Sequence, residues 1–75
     1  MSDHETDYEN DLIDLTWRLD DEGGGEAVGH VEGPGGDPEK RSFRFEDLED
    51  APDLPDRVAE IIREDGRRFG VWTRR

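Results

Sequence analysis

The sequence predicts an α+β fold: a small three- to four-stranded sheet, with elements in the order β-β-β-α-β, and one helix packed on one face. Apolar and polar residues alternate from Ile13 to Leu19 and again around Phe43 and Phe45, which is the period of a half-buried strand. A later segment, from Pro55 to Asp65, carries apolar residues at helical spacing. A helix this short is not stable alone, so we expect its apolar stripe to lie on the sheet.

The first strand is predicted from an alternation of two residue classes. Its apolar members are Ile13, Leu15, Trp17 and Leu19, and its polar members are Asp14, Thr16 and Arg18. Leu12, Leu15 and Leu19 also have helical spacing, but Thr16 and Trp17 favour a strand, and the three glycines at 23–25 follow like a hairpin loop. Residues 27–32 predict a weak second strand, and residues 33–38, rich in Gly and Pro, predict a loop.

The second half of the chain supplies a third strand, a helix and a last strand. Residues 41–46 alternate around Phe43 and Phe45, and the acidic residues 47–54 connect this strand to the helix. We expect Asp53 or Leu54 at the helix cap, Pro55 in the first turn and Gly66 at the C-terminal stop. The predicted helical stripe consists of Leu54, Val58, Ile61 and Ile62. Residues 69–73 predict the last strand, with Phe69 and Val71 facing the helix.

Length and charge limit what the chain can be. Its 75 residues suffice for one domain, and a core this small excludes a second domain and a deep enclosed pocket. We assign residues 1–11 to a disordered acidic tail and residues 12–75 to the domain. The 22 acidic and 10 basic residues give a net charge of −12. Residues 1–37 carry −11 of this charge, whereas residues 57–75 carry +3.

High charge with 29% apolar residues is typical of disordered chains, but two Trp, three Phe and an amphipathic segment argue for a folded domain. Concentrated salt is the other way to tolerate this charge, because it screens self-repulsion. The composition, with nine Arg to one Lys, many Asp, Glu and Gly and no Cys, resembles that of haloarchaeal proteins from a KCl-rich cytosol. This resemblance implies an environment, and it makes the acidic surface a solvated face.

Familiar catalytic and cofactor chemistries are not indicated. The chain has no cysteine, and its two histidines, His4 and His30, do not form a pair suited to a metal. The glycine-rich segments match neither dinucleotide-binding nor phosphate-loop patterns, and residues 20–23 lack the alternating acids of a calcium loop. No apolar run has the length of a signal or membrane-spanning segment. We expect a cytoplasmic, non-enzymatic protein with no cofactor, no metal, no small-molecule substrate and no membrane association.

The predicted functional surface is the sheet face that the helix leaves uncovered. Strand parity places on this face the candidate partner-binding residues Arg18, Arg44, Arg68, Trp72 and Arg74. We expect a non-catalytic protein–protein interaction module, with a homodimer as one form, because a free sheet edge and a Trp beside Arg are typical of interfaces. The alternative is single-stranded nucleic acid, whose phosphates would bind Arg and whose bases would stack on Trp72. The net charge of −12 opposes that alternative at long range.

Overall fold

The computed structural model describes residues 7–74, so residues 1–6 of the predicted tail and Arg75 lie outside the described residues. The described chain forms four strands and one α-helix in the predicted order. They are β1 (Leu12–Leu19), β2 (Gly25–Glu32), β3 (Pro38–Phe45), α1 (Asp56–Asp65) and β4 (Phe69–Thr73), with a short 3-10 turn at Pro34–Gly36 before β3. The α+β fold is therefore confirmed.

The four strands form one antiparallel sheet in the order β3-β2-β1-β4. The hairpin between β1 and β2 turns at Asp20, whose carboxylate accepts hydrogen bonds from the backbone N–H groups of Glu22 and Gly24 at 2.8 and 3.1 Å. The chain crosses from β3 through α1 to the far side of β1. The first and last halves of the domain thus meet along the β1–β4 pair.

One correction concerns the start of β1, where the sheet register shifts between Leu12 and Asp14. The shift makes Ile13 an extra residue, which is a β-bulge. Leu12 rather than Ile13 therefore faces the core, where it is 1% exposed. Strict alternation starting at Ile13 was wrong for this one residue because it assumed an uninterrupted ladder.

The helix α1 covers one face of the sheet, here called the helix face. Ten buried apolar side chains form the core between them: Leu12, Leu15, Trp17, Ala27, Val31, Leu54, Val58, Ala59, Ile61 and Ile62. Gly66 ends α1 in the left-handed conformation at φ 74° and donates its N–H to the carbonyl of Ile62. The N-cap is Pro55 rather than Asp53 or Leu54, because the Pro55 carbonyl accepts the first helical hydrogen bond, from Ala59.

The two edges of the sheet differ in chemistry. The outer strand β3 begins at Pro38, which has no backbone N–H, and carries Lys40 and Arg41. The other outer strand, β4, is five residues long and holds only uncharged residues. Tyr8 packs on Phe43 with ring centroids 5.9 Å apart, so this part of the predicted tail contacts the sheet.

Candidate functional site

The face of the sheet opposite the helix, here called the open face, is built by three rows of side chains that run across all four strands. Residues paired directly across antiparallel strands point to the same side, so the registers define each row. The rows are Lys40, His30, Asp14 and Thr73; Ser42, Val28, Thr16 and Val71; and Arg44, Glu26, Arg18 and Phe69. With Glu32 at the end of β2, which points to the same side, this face carries three basic and three acidic side chains, in a chain whose net charge is −12.

Arg18 and Arg44 lie on the open face as the strand parity predicted, and both are exposed. They are not neighbours, because Glu26 of β2 pairs with both and stands between them. Within residues 7–74 neither guanidinium lies within 4.0 Å of a carboxylate. The guanidinium of Arg18 instead lies over the ring of Phe69, 5.8 Å from its centroid.

The predicted orientation of β4 was wrong. Phe69 and Val71 are 64% and 59% exposed on the open face, whereas Trp72 lies on the helix face and packs against the core. The cause is the buried indole of Trp17, which lies against its cross-strand partner Gly70. Any residue with a side chain at that position would collide with the indole, so Gly70 must face the helix and its neighbours must face away.

Trp72 therefore does not join the arginines of the open face. Its ring is half-buried, and the guanidinium of Arg57 from α1 lies over it, 5.7 Å from its centroid. Trp72 pairs with buried Leu15 across the β1–β4 ladder. Its position makes it part of the core edge between the sheet and the helix.

Arg68 and Arg74 lie at the two ends of β4, outside the three rows of the open face, and both contact groups of this chain. Arg68 forms an ion pair with Asp21 of the β1–β2 hairpin. Arg74 donates to the carbonyl of Asn10 at 2.9 Å and lies 3.5 Å from the carboxylate of Glu32. Of the five candidate residues, only Arg18 and Arg44 belong to the rows of the open face.

The sequence pattern did not predict that Phe69 and Val71 form an exposed apolar pair. The signal that could have found it was Gly70, because a small residue in a short strand indicates that something large packs against it. Trp17, the largest side chain of the other strands, is that partner. That pairing would have reversed the predicted parity of β4.

The backbone of β4 has a free edge on the side away from β1. The N–H of Leu19 donates to the carbonyl of Arg68 at 2.6 Å, and the N–H of Arg74 donates to the carbonyl of Ile13 at 2.8 Å. Because hydrogen-bonding directions alternate along a strand, the backbone groups of Phe69, Val71 and Thr73 point outward. Among residues 7–74 no backbone group pairs with them. These same three residues direct their side chains to the open face.

A carboxylate near β4 is held ionised by an arginine. The carboxylate of Asp65 accepts hydrogen bonds from Arg67 Nε at 2.6 Å and Nη2 at 3.0 Å. This contact lowers the pKa of Asp65 below its usual value and raises the pKa of Arg67. The basic segment before β4 is therefore partly neutralised by its own chain.

A groove of about 640 Å³ opens at the hairpin end of the sheet. Leu19, Phe45 and Leu54 contribute apolar surface, while Arg18 and Arg44 reach it from the open face. Five acidic side chains also line it: Asp20, Glu26, Glu46, Asp50 and Asp53. The excess of carboxylates makes the groove unsuited to an anionic ligand.

His30 and Asp14 form the one close polar pair on the open face that the described residues show, with Nδ1 and Oδ1 2.9 Å apart. Within residues 7–74 no group of three His, Asp or Glu is placed to hold a metal ion. In the same range no helix is long and apolar enough to cross a membrane.

Comparison with protein-family models, with curated proteins and with solved structures finds no significant match to this chain.

Proposed function

We propose that this protein is a non-catalytic protein–protein interaction module that accepts a strand from its partner at the β4 edge. By the β4 edge we mean the outward backbone groups of Phe69, Val71 and Thr73 together with their side chains on the open face. The observation that carries the proposal is the coincidence of two features on the same residues. Phe69 and Val71 are the exposed large apolar side chains among the described residues, and their N–H and C=O groups point to a free edge.

Strand addition uses both features. An extended partner segment gains main-chain hydrogen bonds from the outward N–H and C=O groups, and its alternate side chains contact the open face. Apolar partner residues would cover Phe69 and Val71, and removal of that exposed apolar area from water would favour binding. Specificity would come from the side chains that flank this pair.

Charge supports the same location. The open face carries three basic and three acidic side chains, so a partner approaching it meets little of the chain's net negative charge. Arg18 lies beside Phe69 and has no carboxylate within 4.0 Å among residues 7–74. An acidic residue of a partner strand would pair with it, and an uncharged residue would also be accepted there. The preferred partner segment is therefore extended and alternately apolar, with an acidic or uncharged residue beside Arg18.

The compartment belongs to this proposal as well. The acidic composition supports a cytoplasm rich in salt, where screening lets two acidic proteins approach each other. Most of the surface carboxylates then act as solvated groups rather than as contacts.

The nucleic-acid alternative rested on Trp72 beside the arginines, and Trp72 lies on the helix face. Phe69 is the exposed aromatic residue beside Arg18 instead. The test of the proposed function therefore includes a single-stranded oligonucleotide as a second probe.

Amide NMR of the protein in molar KCl, titrated with short synthetic peptides, tests strand acceptance. The panel alternates Val with polar residues and carries one Glu at successive positions, and a matched panel has Pro at the central position. We expect shifts at Phe69, Val71 and Thr73 with the first panel and none with the second. Oligonucleotide-induced shifts at Arg18, Arg44 and Phe69, without peptide shifts, would replace the proposal with nucleic-acid binding.

Two variants at one position provide the matched control. Val71→Pro removes an outward N–H and no hydrogen bond to β1, so it should abolish peptide binding. Val71→Thr keeps the N–H and the branched shape, and it should bind more weakly than the unmodified protein but measurably. Equal binding by Val71→Pro, or no binding by any peptide of the panel at protein concentrations where the chain is monomeric, would contradict strand acceptance.

A further inference from the structure

We infer that the strand accepted at the β4 edge is β4 of a second copy of this chain, related by a twofold axis beside Gly70. This inference rests on the proposed function, because it names the occupant of the same edge. A twofold interface uses the same surface on both copies, so the surface must be complementary to itself. The β4 edge meets this condition in three respects: backbone direction, side-chain shape and charge.

The condition on backbone direction is satisfied when the two β4 strands pair in antiparallel orientation, with Gly70 of each copy at the centre. In this register Phe69 of each copy lies directly opposite Val71 of the partner subunit. Both residues direct their N–H and C=O groups outward, so each outward group of Phe69 and Val71 finds a partner across the axis. A parallel arrangement would not have twofold symmetry at this edge.

The condition on side-chain shape is satisfied by the residues of β4 that point to the open face. An aromatic residue opposite a β-branched residue is a favourable cross-strand pair, and this register makes two such pairs side by side. Phe69 and Val71, now 64% and 59% exposed, would form one continuous apolar strip with their counterparts. On the helix face Gly70 lies opposite Gly70 of the partner subunit, so no side chains crowd the axis.

The condition on charge is satisfied because this register places no like charges opposite each other on the open face. The row that contains Arg18 and Phe69 continues into Val71 and Thr16 of the partner subunit, which are uncharged. Arg68, at the end of β4, lies opposite Trp72 of the partner subunit, which carries no charge. Carboxylates stay away from the axis, since β4 itself carries no charge.

The net charge of −12 on each copy opposes association at long range. The Debye length falls from about 10 Å at 0.1 M to about 3 Å at 1 M salt. We therefore expect a dimer that strengthens as KCl rises. A dimer driven by ion pairs would weaken instead.

Sedimentation equilibrium from micromolar to millimolar protein, in low and molar KCl, measures the mass of the full chain. The expected result is a doubling of mass with concentration in molar KCl, and a dimer dissociation constant at least about tenfold higher in Val71→Pro. Val71→Thr, which keeps the N–H at the same position, is the control and should retain the dimer. A monomer at every concentration and salt, or an unchanged dimer in Val71→Pro, would overturn the inference.

The register has its own test, since the chain contains no cysteine. Phe69→Cys and Val71→Cys are prepared separately, mixed, and treated with a short thiol crosslinker. We expect the mixed pair to be crosslinked in preference to either like pair. Preferential crosslinking of Val71→Cys to itself would overturn the register centred on Gly70.

The two proposals fail in distinguishable ways. Suppose that the protein is monomeric, that it binds the peptides, and that Val71→Pro abolishes this binding. That result would overturn the inference of a second copy and leave strand acceptance in place. A dimer that survives Val71→Pro, together with a lack of peptide binding, would overturn both. Slowed hydrogen exchange at Phe69 and Val71 as the protein is concentrated would support both.

Discussion

The indole ring of Trp17 lies against the α-carbon of Gly70, its direct partner across the β1–β4 pair. The same ring donates its Nε1–H to the carbonyl of Arg67 at 3.1 Å. One buried side chain, 1% exposed, thereby holds both the start of β4 and its face. The exposure of Phe69 and Val71 follows from this contact.

Gly70→Ala should destabilise the protein, because a β-carbon at this position would overlap Cζ2 of the Trp17 ring. Overpacking of this kind lowers the free energy of unfolding by roughly 1–3 kcal/mol. Urea unfolding followed by far-UV circular dichroism measures it. Thr73→Ala, on the open face of the same strand, is the control and should change stability by no more than about 0.5 kcal/mol. Unaltered stability of Gly70→Ala would show that Trp17 does not fix the strand.

Trp72→Ala should also destabilise the protein, because Trp72 packs against the core on the helix face. For a half-buried aromatic residue we expect a loss of about 1–3 kcal/mol in the free energy of unfolding. Phe69→Ala and Val71→Ala, measured at a concentration where the protein is monomeric, should cost about 0.5 kcal/mol or less, since both side chains are exposed. The reverse order of effects would restore the parity predicted from the sequence.

Stability should rise as KCl is raised from low to molar concentration, because salt screens the repulsion within a chain of net charge −12. Thermal unfolding at a series of KCl concentrations gives the dependence. The triple variant Glu22→Gln, Asp50→Asn and Asp53→Asn removes three exposed negative charges. It should be more stable than the parent at low salt and depend less on KCl. Equal salt dependence of the two proteins would argue against charge repulsion as the cause.

The carboxyl of Asp65 should titrate below its usual range, because the hydrogen bond from Arg67 lowers its pKa. Its contribution to stability is present above the ordinary carboxyl pKa and is lost as pH falls through the lowered pKa. Carboxyl NMR titration measures this pKa directly. In Arg67→Gln the pKa of Asp65 should rise toward its ordinary value. A pKa of Asp65 that does not move in this variant would show that another group sets it.

The sequence patterns predicted the element order because each rests on local signals. The alternation around Trp17 and Phe43 identified strands, and the stripe ending at Gly66 identified the helix and its stop. The orientation of β4 could not be read in this way. Large apolar residues occur on both sides of β4, with Phe69 and Val71 on one side and Trp72 on the other. The local pattern therefore does not indicate which side faces the helix. The choice depends on a contact with Trp17 more than fifty residues earlier.

The same reasoning explains the outcome at the candidate site. Arg18 and Arg44 belong to strands whose alternation is unambiguous, and both lie on the open face. The prediction for Arg68 and Arg74 depended on the parity of β4, so it failed when that parity was reversed. The bulge at Ile13 is also invisible to a period of two, because one extra residue in a ladder leaves no compositional sign.

The unlike edges of the sheet set a limit on how far assembly can proceed. A subunit able to accept strands on both sides would polymerise without end, as fibril-forming sheets do. Here β3 begins with Pro38 and carries Lys40 and Arg41, which discourage pairing at that side. In the proposed dimer each copy would therefore offer one edge. Joining through β4 would occupy that edge on both molecules, and the product would be a closed pair that does not extend into a filament.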